Sequence, residues 1–429
     1  MSCRAAASFN AHRAVGRLGG YPAYHESRND RGHAQGSCGG VHPMIRRLFN
    51  ACLCHPGDLR PSRDDLEIVG VFNPGAIAFG DELILLVRVA ERPRERRAGH
   101  AALPRWQSGA GLIVDWIADD EIDFLDARVV RRKCDGLVRL TFVSHLRILR
   151  SRDGRSINCE DDARFEPQSE FEEFGVEDPR ITRIGDTYWF TYVAVSRHGP
   201  ATALASTTDF RTFTRHGVIF PIENKDVVLF PEPIDGDYVA LHRPVGGTRF
   251  TRPEIWLARS ADRIHWGRHR VLLGAGTMSN DSGVSGWDAD RVGAGAPPIR
   301  TPDGWLEIYH GSSKPAGDRS GSKGDRSGSS GSGSSGSGVG NDSGASGVGA
   351  YSAGALLLDL DEPHRVVGKS AEPILVPETN FEREGFVPNV VFPTGVVDRG
   401  DTLLVYYGAA DTACAVVEFS KADVLAAMA

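Results

Sequence analysis

The sequence contains no apolar run of about 18 residues or more, the length a membrane-spanning helix requires, which excludes a bilayer-crossing helix. Its first 43 residues are rich in Arg, Gly, Ala and His and poor in acids. They lack the apolar stretch of a secretory signal, so export is unsupported and a soluble, cytoplasmic chain is expected. Cysteine is sparse: seven, at positions 3, 38, 52, 54, 134, 159 and 414, form no disulfide framework in a chain of 429 residues. Cys52, Cys54 and His55 make a CxCH pattern without the second pair a zinc site needs, so free thiols and no metal are expected. A net charge of -7 argues against a non-specific nucleic-acid binder. The stretch GSGSSGSG lacks the Lys-Ser/Thr ending of a phosphate-binding loop. Helical periodicity is weak before the closing KADVLAAMA, and no alternation of strands and helices appears.

What is present is an internal repeat. Five segments begin near a proline, run through a short β-prone stretch, turn at Gly-Asp or Asp-Gly, and return through Leu, Val, Tyr and Trp. They are NPGAIAFGDELILLVRVAE from Asn73, DPRITRIGDTYWFTYVAVS from Asp178, FPEPIDGDYVALHRP from Phe230, PPIRTPDGWLEIYHG from Pro297 and FPTGVVDRGDTLLVYYGAAD from Phe392. Each reads as a β-hairpin. Proline cannot donate to a ladder, so each first strand is expected at an innermost or strand-initiating position. Five such units predict an all-β fold, a five-bladed β-propeller. Residues 44–429 are expected to form this single domain, after a disordered extension over 1–43 in which Met44 is an alternative start. The Gly/Ser-rich segment 312–349 reads as a flexible surface insertion that interrupts a blade between His310 and Tyr351.

A hairpin returns to its starting end, so residues beside each entry proline and at the close of each second strand share one end of a blade. Asn73, Arg88, Asp178, Arg243, His310, Asn389 and Asp411 occupy those places and are expected to converge on one pocket. Tyr188, Trp189, Trp287, Trp305, Tyr309, Tyr406 and Tyr407 are expected mainly in the core. Because neighbours on a strand point to opposite faces, Glu177 is expected to turn away from Asp178 and to pair with an arginine.

The motifs GVEDPRIT, KDVVLFP, LHRP, GAGAPPI, YHG, NVVFPTG and YYGAAD, in this order over roughly residues 65 to 425, resemble glycoside hydrolase family 130. These are the β-mannoside phosphorylases and their hydrolytic relatives, which are five-bladed propellers. The resemblance implies that Asp178 is the catalytic acid, protonating the glycosidic oxygen through the 3-hydroxyl of the transferred mannose. It implies phosphate binding by Lys225, Arg243, Arg291, His310 and Tyr351, and mannose contacts by Asn73, Arg88 and Asp411. Arg291 stands where the family often has lysine, and VRVAERPRERRAGH departs from the usual pattern, which leaves linkage and acceptor sugar open. The implied reaction is inverting phosphorolysis of β-1,4- or β-1,2-linked mannosides to α-mannose 1-phosphate, with phosphate as cosubstrate and no cofactor. Phosphate is already an anion and needs no general base, so one carboxylic acid and a cationic cluster suffice, whereas an inverting hydrolase needs two separated carboxylates. The alternatives are a β-mannosidase using water and a non-catalytic sugar-binding propeller. The residues do not show which surface a homo-oligomer uses.

Overall fold

The computed structural model describes residues 4–5, 45–245, 252–276, 286–313 and 349–428. The extension over 1–43, apart from a two-residue strand at Arg4–Ala5, and most of the Gly/Ser-rich insertion lie outside the described residues. Among the described residues α-helix is confined to Asn380–Arg383 and Lys421–Ala426, and no helix is long and apolar enough to cross a membrane.

Strands carry the rest. Leu66–Phe79, Glu82–Pro93, Val143–Ser151 and Cys159–Phe165 form an antiparallel group. One parallel bridge, Ser144 to Gly175, joins it to a second group: Gly175–Ile184, Thr187–Ser196, Gly199–Thr207 and Thr214–Phe220. A third sheet runs Asn224–Leu229, Tyr238–Pro244, Ile255–Ser260 and Gly267–Leu273. In the fourth, Arg291–Ala294 and Ile299–Thr301 both pair with Gly304–Ser312, followed by Tyr351–Leu358 and Val366–Lys369. The fifth holds Val391–Asp398, Thr402–Ala409 and Ala413–Ser420, and takes Phe49–Cys54 as its outer strand. An early and a late segment of the chain thus share one sheet.

Each neighbouring pair of sheets shares an apolar cluster, and the fifth closes on the first through Leu404 and Tyr406 against Leu83 and Leu85. This explains the unbroken apolar run Leu83–Val87. Leu83, Leu85 and Val87 face the fifth sheet while Ile84 and Leu86 face the second, so both faces of the strand are buried. The same alternation places Arg88 in line with Ile84 and Leu86, facing the second sheet.

Four of the expected hairpins appear where the turn chemistry puts them; Gly80 and Gly185 both adopt φ near +63°, which a Cβ disfavours. The third is displaced. Its first strand is Asn224–Leu229, upstream of Phe230, and Phe230–Asp237 is the connection, because Pro231 and Pro233 remove two ladder donors. Its turn at Asp235 and Gly236, both with positive φ, matches a type I′ hairpin.

The inner strands share a further feature. The ladder slips between Phe72 and Gly75, between Glu177 and Arg180, between Lys225 and Val228, and between Pro393 and Gly395. In the first three bulges Asn73, Asp178 and Asp226 sit in the left-handed region, with φ of 50°, 49° and 54°. Asn and Asp are the side chains that tolerate it best. The inner strands also approach closely there: a Cβ on Gly75 would lie 2.7 Å from the Pro179 carbonyl oxygen, and one on Gly395 2.7 Å from the Ala76 nitrogen.

Between the second and third strands of the first group lies an insertion: a hairpin, His100–Gln107 with Gly111–Ala118, then a small sheet of Ile122–Phe124, Val129–Arg132 and Val138–Leu140. It follows the VRVAERPRERRAGH stretch.

Candidate active site

A cavity of about 870 Å³ opens among the inner strands and is walled on one side by the insertion. Asn73, Arg88, Asp178, Lys225, Arg243, Arg291, Tyr351 and Asp411 all line it. Asn389 does not, and is exposed. Nor do the seven aromatics named above, most of which are buried between sheets. Phe72, Phe142, Phe386 and Phe392 are the phenylalanines on its wall besides Phe174.

Asp178 is buried at the second inner strand. Its Oδ1 accepts from Asn73 Nδ2 at 2.8 Å and from Arg88 Nη1 at 3.0 Å. Arg88 Nη2 donates to Glu177 Oε1 at 2.5 Å, and Nε to Ser144 Oγ at 3.1 Å. The Phe72 and Phe142 rings flank the guanidinium, 4.6 and 5.6 Å from its carbon. Glu177 therefore pairs with an arginine, but it does not turn away from Asp178: both line the cavity. Strict alternation fails because the bulge and the left-handed Asp178 rotate the strand between them.

Burial pushes the Glu177 carboxyl up, and Arg88 offsets only part of this. Burial also raises Asp178, but Arg88, then Lys225 and Arg180, outweigh it and hold that carboxyl below its ordinary value. Asp411, again left-handed, is raised by burial against the pull of Arg128 and Arg88. Two neighbouring carboxyls are thus driven apart in proton affinity, the usual signature of divided roles.

The cationic side is built around Asp226. This buried carboxylate meets Arg180 Nη2 at 2.9 Å, Arg243 Nη1 at 2.8 Å and His310 Nε2 at 3.3 Å. It is held well below the ordinary range: burial opposes ionisation, and the Arg243 and Arg180 guanidiniums, with the adjoining His310 ring, overcome it. Arg291 is braced by Asp290 at 3.0 Å and interacts with Tyr351. His310 stands behind this wall instead of on it. It is fully buried, 3.2 Å from Arg243 Nη1, with the Phe392 ring at 4.3 Å. Burial takes its pKa down to about 4, so it adds no charge to the cationic group at neutral pH. Its reach is to Arg243.

Residue-level reading missed Asp226, Arg180 and Arg128. Asp226 directly follows Lys225 and occupies the bulge position that Asn73 and Asp178 occupy in their strands, a signal the KD pair carries. Arg128 comes from the insertion and bonds Asp411 Oδ2 at 3.1 Å across 283 positions of sequence.

Residues 138–319 and 344–429 match the glycoside hydrolase family 130 model, described as beta-1,4-mannooligosaccharide phosphorylase. The chain belongs to glycoside hydrolase family 130. Within this family it is 36% identical, over 390 residues, to a beta-1,2-mannobiose phosphorylase of Listeria innocua, an alignment covering 89% of this chain and 97% of that protein. The solved Listeria innocua enzyme in complex with beta-1,2-mannobiose superposes with a TM-score of 0.74, covering 87% of this chain and 96% of the other. A beta-1,4-mannooligosaccharide phosphorylase of Ruminococcus albus is 32% identical over 57% of this chain and 62% of that protein. Asp178, Lys225, Arg243 and Arg291 fall inside the family-model match; Asn73, Arg88 and Arg128 precede it. His310, Tyr351 and Asp411 also fall inside it.

Proposed function

We propose that this family 130 chain catalyses the inverting phosphorolysis of β-mannosides, transferring mannose to inorganic phosphate as α-mannose 1-phosphate. The observation that carries the reading is one cavity lined both by Asp178, with Asn73 and Arg88 bonded to its carboxylate, and by the cations Lys225, Arg243 and Arg291. A β-1,2 linkage is the first choice, because the β-1,2-mannobiose enzyme aligns along nearly its whole length and the β-1,4 enzyme along less than two thirds.

In this reading Lys225, Arg243, Arg291 and Tyr351 hold phosphate, with His310 and Asp226 orienting Arg243 from behind. Asn73, Arg88 and Asp411 hold the transferred mannose. A phosphate oxygen attacks the anomeric carbon in line, the glycosidic C–O bond breaks, and the leaving oxygen takes a proton that originates on Asp178 and passes through the mannose 3-hydroxyl. No second carboxylate has to act as base. Glu177 and Asp178 share one guanidinium, an arrangement that does not set them on opposite faces of a sugar ring, as an inverting hydrolase needs. Phosphate also primes the acid: its charge offsets Lys225, weakening the field that keeps Asp178 ionised.

We further read the five sheet groups as blades of a β-propeller with this cavity on its axis, a reading supported by the five shared apolar clusters. No cofactor enters the scheme. Free thiols at Cys52, Cys54 and Cys414 favour a cytoplasmic setting. The test is incubation with β-1,2-mannobiose with and without phosphate, assaying mannose and mannose 1-phosphate. Phosphate-dependent release of mannose 1-phosphate is expected; equal turnover without phosphate overturns the proposal in favour of hydrolysis.

A further inference from the structure

We propose that Arg128, carried by the insertion, binds the leaving sugar and sets which acceptor the enzyme accepts. This rests on the phosphorolysis reading above and names the wall of the site that meets the departing half of the substrate.

The placement of Arg128 is built. Asp126 Oδ1 accepts the backbone N–H groups of Arg128 and Val129 at 2.7 and 3.0 Å, and its Oδ2 accepts Arg128 Nη2 at 3.1 Å. Thr141 Oγ1 donates to the carbonyls of Ala127 and Arg128, which ties the same turn to the end of the insertion. From this anchored turn Nη1 reaches Asp411 of the fifth sheet. A guanidinium carries five N–H donors, and these two bonds leave the others for the cavity, where the side chain is 29% exposed. Arg128 is thus fixed in position without being sealed off.

Direction follows from the chemistry. In-line displacement puts the nucleophile and the leaving group on opposite sides of the anomeric carbon. The phosphate-side cations come from the third and fourth sheets; Asn73, Arg88 and Asp411 come from the first and fifth, and Arg128 stands beside Asp411 at the insertion's edge. Leu137, Leu140 and Phe386 line the same region and offer apolar surface to a sugar's C–H face, while guanidinium donors suit its hydroxyls. Arg128 belongs to the insertion that follows the VRVAERPRERRAGH stretch, and it stands on the wall away from Lys225, Arg243 and Arg291.

The test measures phosphorolysis of β-1,2-mannobiose and the reverse synthesis from mannose 1-phosphate with mannose or glucose as acceptor, in wild type, Arg128→Ala and Arg128→Lys. Loss of charge-assisted bonds to a hydroxyl is expected to raise the acceptor KM about tenfold in Arg128→Ala and to shift the mannose-to-glucose preference by a similar factor, with the phosphate KM within about twofold of wild type. Arg128→Lys is expected to recover part of the loss. An unchanged acceptor KM and preference in a folded variant, or a phosphate KM that rises as much as the acceptor KM, overturns the proposal. If Arg128→Ala melts out, Asp126→Asn loosens the same guanidinium and is judged by the same outcomes. Wild type that releases no mannose 1-phosphate defeats the phosphorolysis reading instead; titration of β-1,2-mannobiose into wild type and Arg128→Ala then decides the subsite, with about tenfold weaker binding expected and equal affinity overturning it.

Discussion

The two sides of the cavity use buried charge in opposite proportions. Toward the third and fourth sheets two carboxylates face four cations: Asp226 sits among Arg180, Arg243 and neutral His310, and Arg291, braced by Asp290, stands on the wall with Lys225. Toward the first, second and fifth, three carboxyls, Glu177, Asp178 and Asp411, face two guanidiniums, Arg88 and Arg128. Each side keeps an excess of one sign. The cationic excess can be satisfied by an oxyanion; the carboxyl excess can be relieved by taking up a proton, and burial already favours that at Glu177 and Asp411. The difference teaches that the site is incomplete without an anion on one side and mobile protons on the other, which is what a phosphorolytic displacement brings together.

If the division holds, the largest effect comes from its proton donor. Asp178→Asn keeps the hydrogen-bonding shape and removes the acid, and is expected to lower kcat about 10³-fold in a variant that still folds, with some loss of thermal stability because Arg88 keeps only Glu177 as a buried counter-charge. Release of mannose 1-phosphate measures it; retention of more than about a tenth of the rate would remove Asp178 from the role.

Next comes the keystone of the cationic side. Asp226→Asn leaves Arg180 and Arg243 buried without their shared counter-charge, and breaking a buried pair costs about 3 kcal/mol or more. Thermal unfolding should show the loss, and the surviving fold should bind phosphate poorly. A variant as stable as wild type would mean that the guanidiniums find other partners. Arg243→Ala is expected to be milder in stability and sharper in chemistry: phosphate KM rising by about 2 kcal/mol, some thirtyfold, with the mannobiose KM little moved. Steady-state kinetics varying each substrate checks this, and equal changes in both constants would erase the distinction between the sides.

How much of this was legible from residues alone depends on local regularity. The Gly-Asp turns mark the hairpins because a two-residue turn demands that chemistry, and the apolar run Leu83–Val87 belongs to a strand buried on both faces. Asn73, Arg88, Asp178, Lys225, Arg243, Arg291, Tyr351 and Asp411 were marked in the sequence and meet at one cavity. What escaped did so where the strand stops being regular. Alternation carried through a bulge puts Glu177 on the wrong face, and Asp226 lies in the same kind of bulge one sheet later. An Asn or Asp at this point of an inner strand is itself a mark of the left-handed bulge, in NP, DP and KD alike. Arg128 had no local signal at all, since its partner lies at the far end of the chain. The displacement of His310 behind Arg243 is a matter of side-chain depth, which residue type does not encode.

The smallest expected effect is also the one that ties the two sides together. On the reading proposed above Asp178 carries a proton when it acts, and in the free site Arg88, Lys225 and Arg180 hold its carboxyl below the ordinary value despite burial. The protonated fraction falls as pH rises, so kcat should decline on the alkaline side of that titration. Phosphate bound against Lys225 and Arg243 cancels part of the positive field, which strengthens Asp178's hold on its proton. The decline should therefore move to higher pH as phosphate is raised from below to above its KM, and the movement should shrink in Lys225→Ala, where the field that phosphate cancels is already smaller. Rate profiles at two phosphate concentrations measure it. A limb that stays in place, or moves to lower pH, would mean that the anion and the acid do not sense each other and that the two sides of the cavity act independently.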